Sequence, residues 1–500
     1  MSLKAWAAKK YASKVVKSDA RWMARPLETQ QKTFKGLIQS AKNTAFGKDH
    51  DFASIQTPDD FKARVPIRDY EELRPYVERI IAGEQDVLWP GRPKYFGKTS
   101  GTTSGSKFIP ITAISMKEQV RASRRALLHY IHQSGNAAFV DGKMIFLQGS
   151  PVLEKKGGIY YGRLSGISAH YLPAYLQANR MPSWETNCIE DWETKVDAIV
   201  EETLQEDMRV IAGIPSWVQM YFERLQEAGG QSVGELFPNF SLFVYGGVNY
   251  EPYRAKFEGL IGRRVDSVEL FPASEGFFAF QNEQEDNGLL LLLDAGIYYE
   301  FIPADLFFTE NPRRLGLDEI ELGKDYVLIL STNAGLWGYN IGDTVRFVSK
   351  DPFKVVVSGR IKHFISAFGE HVIAKEVEQA IQEAIQEFPA RVNEFTVAPV
   401  TAPPEGELPF HQWLIEFDQL PEDLAGFAAK LDRSMQEQNS YYKDLIEGKI
   451  LQPLQILQIK VGGFDAFMKS IGRLGGQNKV KRLSNDRSTA DPLSAFSIEQ

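Results

Sequence analysis

The stretch Thr99-Ser100-Gly101-Thr102-Thr103-Ser104-Gly105-Ser106-Lys107 is the segment best equipped for chemistry. Six of its nine residues carry hydroxyls, two are glycines, and a lysine closes it. Glycines let backbone N–H groups curl into an anion-binding nest, hydroxyls add donors, and the lysine supplies a compact positive charge. A polyphosphate wants these groups. The flanks Tyr95-Phe96 and Phe108-Ile109 are β-prone, so the loop joins two strands. It is not a Walker A loop, which runs through Gly-Lys-[Ser/Thr] into a helix. Here Ser106 separates glycine from lysine, no hydroxyl follows Lys107, and Pro110 blocks immediate helix growth.

Further anchors follow along the chain. In Phe271-Pro272-Ala273-Ser274-Glu275-Gly276 a carboxylate ends a β-run. Beside phosphates, Glu275 would suit Mg²⁺, which takes one or two carboxylates plus phosphate oxygens, and Ser274 would donate to a phosphate oxygen. Taken alone, the pair suits a helix N-cap equally well. In Gly335-Leu336-Trp337-Gly338-Tyr339-Asn340-Ile341-Gly342-Asp343, Asp343 is either a turn residue or an acceptor for two ribose hydroxyls. Ser358-Gly359-Arg360-Ile361-Lys362 is either a solvated linker or a cationic hinge that swings toward phosphates. Gly475-Gly476-Gln477-Asn478-Lys479 places a late lysine after a glycine turn. His363 and His371 near the hinge are read as structural or solvated, and His129 and His132 as ordinary helix residues.

Elements must position these groups. Phe34, Leu37, Ile38 and Ala41 recur at helical spacing, as do Leu73, Tyr76, Val77 and Ile80. The second set follows Asp69 and Glu72, a capping-box pattern, and ends near Gly83. From residue 95 to about 275, short β-runs (Met144–Gln148, Met208–Ala212, Leu242–Tyr245, Val265–Phe271) alternate with amphipathic stretches such as Trp192, Val196, Ile199 and Val200. That alternation predicts α/β layers with a partly parallel sheet. Residues 289–357 read as closely spaced strands, a β-rich subdomain. After Ser358-Gly359 comes a helix carrying Val377, Ala380, Ile381, Ala384 and Ile385, then strands near 394–397, 412–417 and 456–459. The expected division is a large N-terminal ATP- and acyl-binding domain over 1–357, a hinge at 358–362, and a small mobile α+β domain over 363–500.

Composition narrows the class. The chain has 500 residues, 43% hydrophobic and 24% charged, with net charge −8. No long basic run accompanies that charge, which argues against nucleic acid as the main partner. No stretch approaches a membrane span and residues 1–25 lack a continuous apolar core, so neither membrane association nor secretion is expected. One cysteine, Cys188, excludes an internal disulfide and a cysteine-rich zinc site and fits a reducing, cytoplasmic setting.

The order of loop, Ser-Glu, Gly-Asp, Gly-Arg hinge and late lysine resembles the adenylate-forming superfamily of acyl-CoA ligases, luciferases and adenylation domains. More narrowly, the chain resembles the auxin-responsive acyl-acid amido synthetases of plants (the Gretchen Hagen family) and their bacterial relatives. The carriers are Thr44-Ala45-Phe46-Gly47, Phe61-Lys62-Ala63-Arg64-Val65-Pro66-Ile67-Arg68-Asp69-Tyr70, the hydroxyl loop, Phe108-Ile109-Pro110-Ile111-Thr112 and Gly475–Val480. The resemblance implies an adenylate-forming fold and ATP with Mg²⁺. It places phosphates on residues 100–107, Mg²⁺ and ATP on Glu275 with Ser274, ribose on Asp343, and adenine over Gly246-Gly247-Val248. Arg360 becomes the hinge arginine and Lys479 the lysine of adenylate formation. The implied substrates are a small-molecule carboxylic acid and an amine, by resemblance an amino acid. An acyl-CoA ligase sharing the first half-reaction, and a non-catalytic nucleotide-binding relative, are the alternatives. Two departures stand out. Asn340 and Gly338 occupy positions where plant members carry arginine, and the second motif reads Phe-Pro-Ala-Ser-Glu.

Overall fold

The computed structural model describes the chain apart from residues 1, 103–104, 172–178, 248–249, 287, 308, 361–363, 366, 371, 405, 472–479, 481 and 499–500. At 100–102, 105–106, 193, 216, 251–253, 359–360, 364–365 and 373–375 it describes the backbone alone.

An eleven-stranded sheet organises most of the molecule. Arg180–Met181, Lys143–Phe146, Met208–Ala212, Leu242–Gly246 and Asp266–Ala273 lie side by side in that order, all parallel. At Asp266–Ala273 the direction changes. Gly276–Gln281, Leu289–Leu291, Phe353–Arg360, Tyr339–Lys350, Asp325–Thr332 and Ile297–Pro303 continue the sheet with antiparallel neighbours. The β-rich region expected from the sequence is therefore an extension of the α/β sheet, hydrogen-bonded to it edge to edge.

Side-chain alternation fixes the layers. Along Leu242–Gly246, Phe243 and Tyr245 face the helices Trp192–Thr203, Pro215–Gly229 and Glu251–Ile261. Leu242 and Val244 face Leu3–Met23 and Ala113–Ser134 on the other side. A strand buried on both faces reads as a continuous apolar run, as this one does. His129 is a buried hydrogen-bonding partner between two of those helices. Its Nε2 lies 2.9 Å from the Asp19 carboxylate, which also takes Arg125 Nε at 2.9 Å. Helix Tyr70–Ile81 begins at the expected capping box: Asp69 accepts from the Glu72 amide while Glu72 accepts from the Asp69 amide. Leu73, Val77 and Ile80 are its buried face.

Beyond the large sheet, Arg391–Val400, Phe410–Gln419 and Gln455–Ile459 form a three-stranded sheet packed on helices Ala374–Glu387 and Leu424–Gln438. The large sheet extends to Arg360, so the proposed hinge at 358–362 starts within its last strand. Among the described residues no helix is long and apolar enough to cross a membrane.

One buried ion pair ties the first hundred residues to this sheet. Arg314 pairs with Glu300, and its other Nη donates to the Val65 carbonyl at 2.5 Å. Their side chains are 6% and 1% exposed. Burial pushes the Glu300 carboxyl up against the pull of Arg314. Arg314→Ala leaves a carboxylate buried without its counter-charge, so unfolding in urea should show a loss of about 3–5 kcal/mol. A change below about 1 kcal/mol would contradict this reading of the pair.

Candidate active site

The hydroxyl-rich segment folds as a β-hairpin rather than an open loop. Tyr95–Thr102 pairs antiparallel with Gly105–Ile111, and Thr99 stands opposite Lys107. The register shifts between Thr99 and Thr102, as expected where hydroxyls and glycine interrupt a strand. Ser100, Gly101, Thr102 and Gly105 thus belong to the hairpin backbone, while Thr103 and Ser104 lie outside the described residues.

Ser274 and Glu275 are the two central residues of a tight hairpin turn. Ala273 and Gly276 face each other across it, which rules out the helix N-cap alternative. The turn stands at the carboxyl edge of the parallel strands, where open α/β sheets bind ligands. Gly246 and Gly247 leave the neighbouring strand on the same edge; Val248 lies outside the described residues. Asp343 is directly opposite Arg360 in the antiparallel pair Tyr339–Lys350 and Phe353–Arg360, so their backbones are immediate neighbours.

A cavity of about 2520 Å³ runs along this edge. Thr99 and Lys107 of the hairpin, Ser274 and Glu275 of the turn, and Asp343 all line it, as do Gly246 and Gly247. The geometry brings together four segments separated by up to 244 residues (343 − 99). Its lining offers a lysine, hydroxyls and two carboxylates to one ligand. Among the described residues no group of three or more His, Cys, Asp or Glu side chains could hold a metal alone. Glu275 as a single carboxylate fits Mg²⁺ shared with phosphate oxygens. Lys479 lies outside the described residues, as do Lys362, His363 and His371.

Residues to which the sequence assigned no role in the site hold these segments in place. A Cβ on Gly97 would stand 3.2 Å from Ser274 Cβ, so the hairpin backbone presses directly on the turn. A glycine inside a strand is the available signal for such an approach. Tyr70 accepts a 2.8 Å hydrogen bond on its hydroxyl from the Phe108 amide, bracing the hairpin. The Arg68 amide donates to the Gly338 carbonyl at 2.9 Å, and the Asn340 amide donates to the Arg68 carbonyl at 2.8 Å. The Phe61–Tyr70 signature therefore buttresses both the hydroxyl-rich hairpin and the strand of Asp343. Gly338 has φ +57°, and a Cβ there would meet the Pro66 carbonyl at 2.8 Å. Arginine has no room in this backbone.

The C-terminal part reaches the same cavity. Tyr441, on helix Ser440–Glu447, donates to the Lys98 carbonyl at 3.2 Å and stacks under Arg163, whose guanidinium lies 4.5 Å from the ring. Asp444 on that helix pairs with Arg163. Burial, aided by the Glu275 carboxylate and opposed by Arg163, pushes the Tyr441 phenol up.

Family models match three stretches of the chain: the GH3 family N-terminal domain over residues 20–173, the central domain over 290–360 and the C-terminal domain over 375–488. The chain belongs to the GH3 family. Among curated GH3 relatives, indole-3-acetic acid-amido synthetase GH3.3 of Arabidopsis thaliana is 22% identical, over 90% of this chain and 88% of that protein. Jasmonoyl–L-amino acid synthetase JAR4 of Nicotiana attenuata is also 22% identical, over 63% of this chain and 66% of that protein. Among solved structures, the GH3.15 acyl acid amido synthetase superposes with TM-score 0.61 at 16% identity, covering 98% of this chain and 97% of its own. A 2-hydroxyisobutyryl-CoA ligase holding 2-HIB-AMP and CoA superposes with TM-score 0.60 at 14% identity, covering 94% and 93%. The chain thus shares its fold with both of these structures.

One buried cation near the cavity has a measurable signature. Lys195 is 1% exposed, and its ammonium donates to the carbonyls of Gln148 at 2.9 Å and Asn187 at 2.6 Å. Burial is the main cause that lowers its pKa from 10.5 to about 8, with Arg163 and Arg180 adding to the shift and Cys188 opposing it. Between these values the unfolded chain keeps a proton that the folded protein has shed, so folding stability contributed here rises with pH. The stability of the native protein minus that of Lys195→Met should therefore climb from pH 8 to 10.5, by up to about 1.4 kcal/mol per pH unit. A difference flat across that window would contradict the assignment.

Proposed function

We infer that this GH3 protein is an adenylate-forming ligase of the acyl-acid amido synthetase type. In the first half-reaction a substrate carboxylate attacks the α-phosphorus of ATP and pyrophosphate leaves. The carboxylate is already a nucleophile at neutral pH, so this step needs alignment and charge stabilisation rather than a general base. In the second half-reaction an amine attacks the mixed anhydride, an amide forms and AMP departs. The observation that carries the reading is the convergence of the hydroxyl-rich hairpin, Ser274-Glu275 and Asp343 on one cavity within a GH3 chain.

Roles follow from chemistry at each position. The hairpin's N–H groups, hydroxyls and Lys107 would cradle the phosphates, with Ser100, Gly101, Thr102, Thr103, Ser104 and Gly105 at its tip. Asp343 would accept from the ribose hydroxyls, and Gly246-Gly247-Val248 would underlie the base. Glu275 would hold Mg²⁺ with phosphate oxygens; when bound, the ion neutralises charge on the departing pyrophosphate. Arg360 and Lys479 would supply further positive charge as the 363–500 unit moves about the 358–362 hinge. An acyl-CoA ligase would share the first half-reaction, and the likeness to a CoA ligase fold keeps that reading in view.

Incubating the protein with ATP, Mg²⁺, a panel of aryl, indolyl and fatty acids, and either amino acids or CoA separates the readings. An amide product with one AMP per amide supports the amido synthetase, and a thioester in its place favours the ligase. Asp343→Ala should weaken nucleotide binding by about 1.5–3 kcal/mol, the worth of hydrogen bonds to a charged group. Lys479→Ala should leave ATP affinity nearly intact and slow adenylate formation about 10²–10³-fold, while use of a pre-formed acyl-adenylate survives better. Equal damage to both half-reactions would remove Lys479 from the adenylation step.

A further inference from the structure

At the far end of the parallel strands the same cavity holds a cation without a counter-charge. Arg180, in the edge strand Arg180–Met181, lines it and is half-buried. No carboxylate lies within ion-pair distance of Arg180 among the described residues. With its amide turned so that the oxygen faces the guanidinium, Gln148 is its polar partner: the oxygen accepts from Arg180 Nη2 at 2.7 Å, and the amide nitrogen donates to the Ser165 carbonyl at 2.9 Å. Arg180 Nε has no acceptor. Gln148 is 1% exposed and its backbone carbonyl is held by Lys195, so the amide that orients the guanidinium is itself fixed.

The surroundings repeat the deficit. The rings of Trp192 and Trp217 lie 4.5 Å apart at a tilt of 46°, both line the cavity, and each has a buried indole N–H with no acceptor. Of the neighbouring cations, Arg163 is committed to Asp444 and Lys195 to two carbonyls, whereas Arg180 keeps a donor unused. Buried donors without partners call for an acceptor that the protein itself does not supply. A guanidinium with no carboxylate partner, lining the same cavity as two such indoles, fits a small, planar, bidentate anion.

We propose that Arg180, oriented by Gln148, receives the α-carboxylate of the amino-acid acceptor, and so selects acceptors that carry a free carboxylate over simple amines. The proposal rests on the amido synthetase reading and deepens it. The reacting acid is a poor match for this position, because its carboxylate becomes a neutral anhydride carbonyl after the first half-reaction and would leave the arginine unpaired. The acceptor's carboxylate stays ionised throughout. A pair of cation and carboxylate that persists through amide formation loses nothing when the adenylate forms.

The test compares an L-amino acid, its carboxamide and its decarboxylated amine as acceptors, with one acid fixed by its ability to drive ATP–pyrophosphate exchange. The unmodified protein should show a KM for the amino acid at least 10-fold below those of the carboxamide and the amine. Arg180→Met should raise that KM by about 10–100-fold, the worth of hydrogen bonds to a charged group, and bring it level with the other two. Arg180→Lys should fall between, since charge survives and the planar fork does not. Exchange needs no acceptor and reports folding and the first half-reaction together. Loss of exchange in both Arg180→Met and Arg180→Lys would place the residue on the acyl or nucleotide side and overturn the proposal. Equal KM values for amino acid, carboxamide and amine in the unmodified protein would also overturn it. So would a thioester product whose CoA KM rises in Arg180→Met. Absence of exchange with every acid in the unmodified protein would sink the amido synthetase reading itself, and the proposal with it.

Discussion

The site depends on a reversal of strand direction. Five parallel strands end on one edge of the large sheet, and at Ser274-Glu275 the chain turns back and pairs antiparallel with the strand it has just left. A two-residue turn has no slack, so both side chains are fixed relative to the sheet. The same reversal lets the antiparallel half run on from the parallel half and bring the strand of Asp343 into the sheet. Without it, a carboxylate at 275 and an aspartate at 343 would belong to different layers. The cavity edge is thus a consequence of topology, and the functional side chains occupy positions that the strand order makes adjacent.

Close backbone packing completes the arrangement. Gly97 sets the phosphate hairpin against Ser274, and Gly338 admits the Pro66 carbonyl against the strand of Asp343. The segment 61–70 touches both sides. Tyr70 braces the hairpin through the Phe108 amide, and Arg68 exchanges backbone hydrogen bonds with Gly338 and Asn340. A signature of this kind transmits the position of one half of the site to the other. The absence of arginine at 338 and 340 is then partly a backbone matter: position 338 needs a left-handed conformation with no side chain.

Much of this was legible in the sequence, for local reasons. The helix over 70–81 followed from its capping box and apolar spacing, and the strands at 208–212 and 242–246 from short β-rich runs. The hydroxyl and glycine content of 99–107 singled out this segment, and the structure brings Thr99 and Lys107 to the cavity. What stayed hidden depends on pairing between distant segments. Residues 289–357 look like a separate β unit because sequence reports strands and not their neighbours. Ser274-Glu275 was ambiguous between a helix N-cap and a metal site, since a short polar pair after a strand serves either. Arg163, Arg180 and Tyr441 carry no local pattern at all; they matter because the fold brings their elements to one cavity.

The central claim is that the hairpin, the Ser274-Glu275 turn and the strand of Asp343 form one nucleotide site. Amide hydrogen exchange followed by mass spectrometry, with and without Mg-ATP, examines it most directly. Bound ligand stabilises the segments it orders. The account predicts slower exchange in peptides spanning 95–111, 270–278 and 338–345 together, with the same dependence on nucleotide concentration. Protection confined to one of these segments, or none at millimolar Mg-ATP, would contradict it.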